Sequence, residues 1–221
     1  MSYVNQVGDV SRTDQVINYL KENTNVYIIS LKDILLESKS EYEVYSNWGD
    51  PSHWTDRGAF ISCQYVMACI NEDNGNIYPV LQEDAYDILV SNQAKTINGF
   101  ITKEDMLETF TIKSPTATNG DVAIMQGYSD DVRHSVWTSN SVDNDTKVLI
   151  ICDSYFNSYI VDDFAESFSE VWSVHTNYTT DLDILIELYE PDIIIMECAE
   201  RVDRGEYVYQ FAQKLQGNDI K

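Results

Sequence analysis

The chain has 221 residues, of which 43% are hydrophobic and 23% are charged, so it can form one large domain with a real core and is not a disordered segment. Its 37 acidic and 14 basic side chains give a formal net charge of −23. A surface this acidic repels phosphate groups, which argues against nucleic-acid binding and against docking on anionic lipid.

The sequence shows no membrane segment and no metal-ligand pattern. No stretch is as long and apolar as a bilayer-spanning helix, which needs about 20 residues, so we expect no direct membrane insertion. The first residues are neither basic nor followed by an apolar block, so no signal peptide is visible. The four cysteines form no C-x-x-C pair. We expect no metal, no cofactor and mostly buried thiols, with a disulfide between Cys152 and Cys198 left open.

The first elements in chain order are two helices and a strand. Residues 12–23 have the spacing of an amphipathic helix. The β-branched run 25–30 predicts a buried strand. Ser30 then has the right residue type to cap a short helix over 31–36.

A loop, a helix and a less regular region follow. Polar and aromatic residues 40–54 predict a loop, and 57–71 have clear helical periodicity. Residues 72–146 are rich in Asn, Asp, Gly, Thr and Ser, with short strand candidates at 107–112 and 132–138. We interpret them as a partly β insertion that covers one edge of a sheet.

Strands and helices alternate from Lys147 onward, which predicts an α/β fold with a parallel, doubly wound sheet. The first strand is a continuous apolar run, as expected for a strand buried on both faces. The predicted elements are strands 147–152, 169–175 and 192–197 and helices 156–167, 180–189 and 204–216.

Ser154 is the first candidate for chemistry, because it follows strand 147–152 at the edge where parallel sheets build their sites. If a helix begins near Tyr155, its first N–H groups can stabilise an oxyanion, and Asn157 can add a side-chain donor. The structural alternative is that Asp153 or Ser154 merely caps that helix.

His53 and Asp50 supply the rest of a Ser-His-Asp triad. A serine hydroxyl needs a base, and imidazole suits that task near neutral pH. An acid three residues before the histidine can turn back to hold its ring. The chain has three histidines, and His175, at the end of a predicted strand, is the alternative base. His134 lies in the insertion.

Three segments resemble a known family. Residues 45–59 (YSNWGDPSHWTDRGA) resemble the DHHW segment of the SGNH-like acyltransferases related to bacterial alginate O-acetylation proteins. Residues 120–127 (GDVAIMQG) look like the GDLA segment of that family. Residues 148–156 (VLIICDSYF) look like its apolar strand ending in GDSF or GDSY. The order, with the histidine before the serine, is the order of this branch.

The resemblance implies an SGNH-like, flavodoxin-like three-layer sandwich with a mostly parallel central sheet. We expect one domain over 1–221 with the insertion at 72–146, a description that also fits an excised fragment lacking an amino-terminal part. The implied activity is serine-dependent transfer of an acyl group, usually acetyl, to an exported polysaccharide. Ser154 would be the nucleophile, His53 the base and Asp50 its orienting acid. The implied location is extracytoplasmic.

The implied partners are a carbohydrate acceptor and an acyl donor, which a membrane acyl-transfer protein can supply. Trp54 lies in a cluster of aromatic residues that suits stacking on a sugar ring, with packing of the loop as the alternative. Arg201 suits an acidic sugar, or an ion pair with Glu200 or Glu197. The adjacent Asp162 and Asp163 indicate a solvated acidic face.

Two positions depart from the family pattern. Cys152 stands where a glycine usually precedes Asp-Ser. Pro51 stands where the acid usually lies, and Asp50 is one residue further from the histidine. Two alternatives to the transferase therefore stay open, a carbohydrate esterase and a non-catalytic glycan-binding or scaffold protein with the same fold.

Overall fold

The structure, a computed structural model, describes residues 10–46, 53–97, 100–120, 135–157, 160–175 and 182–199. The chain divides into two units. One consists of residues 1–30 and 198–221, and the other of residues 31–197. The predicted helix at 204–216 lies outside the described residues.

The first unit contains helix α1, Arg12–Asn23, as predicted. Ser11 and Asp14 form a capping box, in which each side chain accepts the other residue's backbone N–H. The predicted strand at 25–30 is wrong, because residues 24–30 pair with no strand among those described. A β-branched run favours extended backbone, but a strand also needs a partner for its N–H and C=O groups.

The second unit begins with two helices, α2 (Lys32–Ser38) and α3 (Asp56–Asp73). Ser30 is not the cap of α2, because the residue that precedes the helix is Leu31, which offers no side-chain acceptor. Helix α3 confirms the prediction at 57–71. It begins where the Thr55 hydroxyl accepts the Gly58 N–H at 3.1 Å.

The insertion contains a long antiparallel hairpin of β1 (Tyr86–Ile97) and β2 (Phe100–Ile112). The predicted strand at 107–112 is confirmed as part of β2. Strand β1 was not predicted. At the base of the hairpin, the Phe110 ring packs against the rings of Phe60 and Tyr86, with centroids 5.2 and 5.4 Å away.

A five-stranded mixed sheet is the centre of the second unit, in the order β3-β4-β6-β5-β7. Strands β5 and β6 are parallel, as are β5 and β7, whereas β4 runs antiparallel to β6 and to β3. The strand predicted at 132–138 is present as β4. The insertion therefore extends the sheet itself at the β6 side. The strands are β3 (Ala117–Asn119), β4 (Ser135–Ser139), β5 (Lys147–Cys152), β6 (Glu170–His175) and β7 (Ile193–Met196).

The predicted helix at 156–167 is present as two short helices, α4 (Ser154–Asn157) and α5 (Val161–Ala165). Helix α6, Leu182–Tyr189, lies between β6 and β7 as predicted. The mixed α/β class is thus observed, with two antiparallel strands added to a parallel centre. The SGNH-like three-layer arrangement stays a prediction.

Strand β5 lies at the core, and its residues from Val148 to Cys152 are fully buried. Burying each aliphatic side chain of this size contributes about 1.5–3 kcal/mol. Three residues of α3 belong to the same apolar cluster as one face of β5: Ala59, Cys63 and Met67.

All four cysteines are thiols, so no disulfide joins Cys152 to Cys198, and Cys198 is exposed. None of the helices in the described ranges combines the length and the apolarity that a bilayer crossing requires.

Candidate active site

Ser154 lies at the carboxyl end of β5, where the strand gives way to α4. The preceding Asp153 is buried, and its Oδ1 accepts the Tyr155 N–H at 2.9 Å. This bond closes a tight turn around the serine, of the kind that aspartate side chains favour. Cys152 belongs to the strand, and its Sγ lies in the core 3.5 Å from Ser173 Oγ. The thiol therefore points away from the turn that a glycine usually begins.

His53 is positioned by its neighbour Trp54. The Trp54 indole is only 4% exposed, and its Nε1 donates to the Tyr155 carbonyl at 3.0 Å. The Trp54 and Tyr155 rings also meet edge to face, 5.3 Å apart. Trp54 thus holds the loop that carries His53, the histidine loop, against the turn that carries Ser154, the serine turn. This burial supports the packing alternative and corrects the expectation that the Trp54 face is available to a sugar.

The start of α3 holds the other side of the histidine loop. The Thr55 N–H donates to the Val44 carbonyl at 3.1 Å, and Tyr45 forms a β-bridge with Trp54. A Cβ atom at Gly58 would lie 2.3 Å from the Val44 oxygen, so only glycine fits there. The Gly-Ala start of α3 therefore has a steric reason.

These two supports bring the imidazole to the hydroxyl. His53 Nε2 lies 2.7 Å from Ser154 Oγ, although 101 positions separate the two residues in sequence. When Nδ1 carries the ring proton, Nε2 accepts a hydrogen bond from the hydroxyl, as a general base must. The Tyr155 ring packs 5.2 Å from the imidazole. The pair is half-buried, so the hydroxyl is supported by protein on one side.

The structure places the other predicted site residues as follows. Asp50 and Arg201 lie outside the described residues. Asn157 ends α4. The Tyr155 N–H already donates to Asp153, so the expectation that it is poised for an oxyanion is not met in this arrangement. His175 ends β6, buried and opposite Cys152 in the register, whereas the imidazole bound to the Ser154 hydroxyl is that of His53.

Sequence reasoning missed Glu197 as part of this region. Its Oε2 accepts the Asp153 N–H at 3.0 Å, one residue beyond the end of β7. The available signal was an acidic residue at the end of an apolar predicted strand, 192–197. It became meaningful only with the strand order, which places β7 beside β5.

A second polar region lies at the base of the hairpin, around a cavity of about 160 Å³. Asp163 is buried there and accepts a hydrogen bond from the Tyr86 hydroxyl at 2.6 Å. Burial, followed by the charges of Asp162 and Asp56, raises the pKa of Asp163 to about 7, while the Tyr86 hydrogen bond lowers it. The expectation of a solvated face is therefore wrong for Asp163.

Three solved structures share the fold. PatB1 from Bacillus cereus gives a TM-score of 0.58 at 20% identity, over 84% of this chain and 73% of that chain. PatB1 with a sulfonyl adduct gives 0.55 at 21% identity, over 74% and 65%. A DHHW family protein from Eubacterium siraeum gives 0.59 at 16% identity, over 89% and 73%. No protein-family model and no curated protein matches the chain. At these identities the likeness shows the fold.

Proposed function

We propose that the protein is a serine-dependent acyltransferase that works through an acyl-serine intermediate. The observation that carries the proposal is the 2.7 Å separation of His53 Nε2 and Ser154 Oγ at the carboxyl end of a buried strand. A nucleophile and a base within hydrogen-bond reach are the minimum equipment for this chemistry. The fold shared with PatB1 and with a DHHW family protein supports it.

The reaction takes place in two half-reactions. Ser154 Oγ attacks the carbonyl carbon of a donor ester while its proton passes to His53 Nε2. The carbon–oxygen bond of the donor then breaks, and the leaving alcohol takes that proton from the imidazolium. An acceptor hydroxyl next attacks the acyl-serine and gives its proton to His53. Breaking the acyl–Oγ bond returns the proton to Ser154 and releases the new ester.

The remaining roles are part of the proposal and come from the family resemblance. Asp50 would orient the His53 ring, and Arg201 and Asn157 would contact substrate. The acceptor would be an exported or cell-surface polysaccharide, and the group transferred would be acetyl. The protein would then act outside the cytoplasm with a membrane acyl-transfer protein as donor. With water as the acceptor, the same steps make it a carbohydrate esterase.

The test is capture of the acyl-serine. Wild type, Ser154→Ala and a control, Ser40→Ala, are incubated with p-nitrophenyl acetate and analysed by peptide mass spectrometry. The control removes an exposed hydroxyl that bonds only to the backbone at the end of α2. We expect acetyl on the peptide containing Ser154 in wild type and control, and none in Ser154→Ala. A sulfonyl fluoride provides a second probe, since PatB1 has been solved with a sulfonyl adduct.

The other outcomes decide between the functions. Equal behaviour of wild type and Ser154→Ala would reject the enzyme, and glycan binding in both would then favour a scaffold protein. Acetyl transferred to an added oligosaccharide identifies a transferase, whereas release of free acetate alone identifies an esterase.

A further inference from the structure

The two residues that flank Ser154 each have a backbone N–H group bound to a carboxylate. The Asp153 N–H donates to Glu197 Oε2 at 3.0 Å, and the Tyr155 N–H donates to Asp153 Oδ1 at 2.9 Å. Hydrogen bonds from a backbone N–H to a charged carboxylate are stronger than those between neutral groups. The turn that presents the hydroxyl is therefore fixed from both ends.

Glu197 can reach this turn because of the strand register. Its neighbour Met196 lies opposite Ile151, and the Glu197 N–H donates to the Ile151 carbonyl at 2.9 Å. The carboxylate thus starts from a backbone that is itself bonded to β5, two residues before Asp153. The main chain and the side chain of Glu197 therefore both bind the end of β5.

We propose that Glu197 is a positioning residue for the nucleophile. By accepting the Asp153 N–H, it fixes the backbone from which Ser154 projects and so keeps Oγ in reach of His53. The inference rests on the proposed function for its catalytic consequence. Its reason is geometric, since a displacement of about 1 Å in a reacting group can cost on the order of 100-fold in rate.

The chain offers a matched control at the other end of the same strand. Asp192 Oδ2 accepts the Lys147 N–H at 2.9 Å, so it too is a carboxylate next to β7 that binds a backbone N–H of β5. It lies at the end of the strand away from Ser154. Asp192→Ala therefore removes the same kind of bond without touching the serine turn.

The experiment measures p-nitrophenyl acetate hydrolysis by wild type, Glu197→Ala, Glu197→Gln and Asp192→Ala, with circular dichroism as the folding check. We expect Glu197→Ala to lower kcat about tenfold with KM within about twofold, because substrate contacts are unchanged. Glu197→Gln keeps an acceptor oxygen and should stay within about threefold of wild type, and Asp192→Ala should match wild type. If Glu197→Ala does not fold, Glu197→Asp, whose carboxylate is too short for the turn, takes its place.

Three results would overturn the inference: an unchanged kcat in Glu197→Ala, an equal loss in Asp192→Ala, or no rescue by Gln.

A second readout is independent of activity. Amide hydrogen exchange at Asp153 should accelerate in Glu197→Ala but not in Gln or in Asp192→Ala. If wild type turns over no faster than Ser154→Ala, the proposed function fails, and exchange alone decides whether Glu197 holds the turn. Unchanged exchange would reject that role too.

Discussion

The serine turn, residues 153–155, and the base of the hairpin, around Arg57 and Glu108, are both long-range connections, but different chemical groups form them. Each joins the start of α3 to a segment far away in sequence. At the serine turn two ring nitrogens make the joining contacts: the His53 imidazole meets a hydroxyl, and the Trp54 indole meets a backbone carbonyl. At the hairpin base the joining groups are charged. The buried Arg57 guanidinium binds Glu108 at 2.6 Å and Glu83 at 3.0 Å.

The difference indicates a structural role for the base of the hairpin, whereas the proposed chemistry belongs to the serine turn. The hairpin base has a cavity and a carboxyl group with a raised pKa, two features that often mark an active site. Its titratable groups are instead explained by the hairpin they anchor: Asp56 accepts the Phe110 N–H, and Asp163 binds Tyr86. The proposed reacting pair, His53 and Ser154, lies at the serine turn. The proposed function therefore rests on that contact and not on the raised pKa of a carboxyl group.

The largest effect should come from removing the imidazole of the His53–Ser154 pair. We expect His53→Ala to lower kcat/KM for p-nitrophenyl acetate about 100-fold or more, because the hydroxyl loses its proton acceptor. Circular dichroism should show a folded protein, since the imidazole is only half-buried. His175→Gln is the comparison. A larger loss in that variant than in His53→Ala would identify His175 as the base.

The next largest effect should come from removing the ion pairs of Arg57 at the base of the hairpin. Arg57→Ala leaves Glu108 without its partner and removes a guanidinium stacked 4.7 Å from the centres of the Tyr42 and Phe110 rings. We expect a loss of about 3 kcal/mol in the free energy of unfolding, measured with urea. Arg57→Lys should recover part of it, because lysine keeps the charge but not the fork. A loss below about 1 kcal/mol would contradict this account.

Gly58→Ala should affect both regions, because α3 connects them. The added methyl would lie 2.3 Å from the Val44 oxygen, so the histidine loop must move. We expect about 1–3 kcal/mol of destabilisation and a lower rate of acylation. Gly120→Ala is the control, since its methyl would make only ordinary contacts from 3.4 Å outward. Equal stability of the two variants would show that the loop yields easily.

A further effect should be a pH dependence of the free energy of unfolding that arises at the hairpin base. The pKa of Asp163 is raised to about 7, mainly by burial, and Asp162 and Asp56 shift in the same direction. Between pH 4 and 7 the folded protein therefore binds more protons than the unfolded chain, so stability falls as pH rises through about 7. Asp163→Asn keeps an acceptor for Tyr86 and cannot ionise.

Urea unfolding of wild type and Asp163→Asn at pH 5 and pH 8 measures this effect. The variant should lose less stability between the two values than wild type does. The groups facing Asp163 include Glu166 as well as Asp56 and Asp162, so a residual slope is expected. Identical slopes would show that Asp163 does not titrate in this range.

The sequence predicted the carboxyl-terminal half well for a physical reason. Parallel strands covered on both faces are continuous apolar runs, and β5 is such a run from Val148 to Cys152. Because sites form at the carboxyl ends of such strands, the sequence alone makes Ser154 a candidate. An imidazole partner was expected because a serine nucleophile would need a base, with His53 and His175 both open; the contact with His53 is a feature of the structure. The 2.7 Å contact itself depends on Trp54 and Gly58 and could not be foreseen.

Other features escaped for equally physical reasons. Strand β1 does not alternate cleanly, since the adjacent Leu89 and Val90 are both exposed. The Asn98-Gly99 pair, which follows β1 in the sequence, is of a type that favours a hairpin turn. The run 25–30 has strand composition but no described partner. The acidic residue at the end of β7 gains its meaning only from the fold, because the Glu197 bond joins two strands whose adjacency the sequence does not reveal.

The burial of β5 has a consequence for the order in which parts of the protein unfold. This strand is bonded on both sides and fully buried, so it belongs to the part of the molecule that opens last. The loop that carries His53 depends on a few polar contacts and should open sooner. Mild urea should then separate base from nucleophile while the sheet persists. We expect catalytic turnover to vanish at a lower urea concentration than the circular dichroism of the sheet.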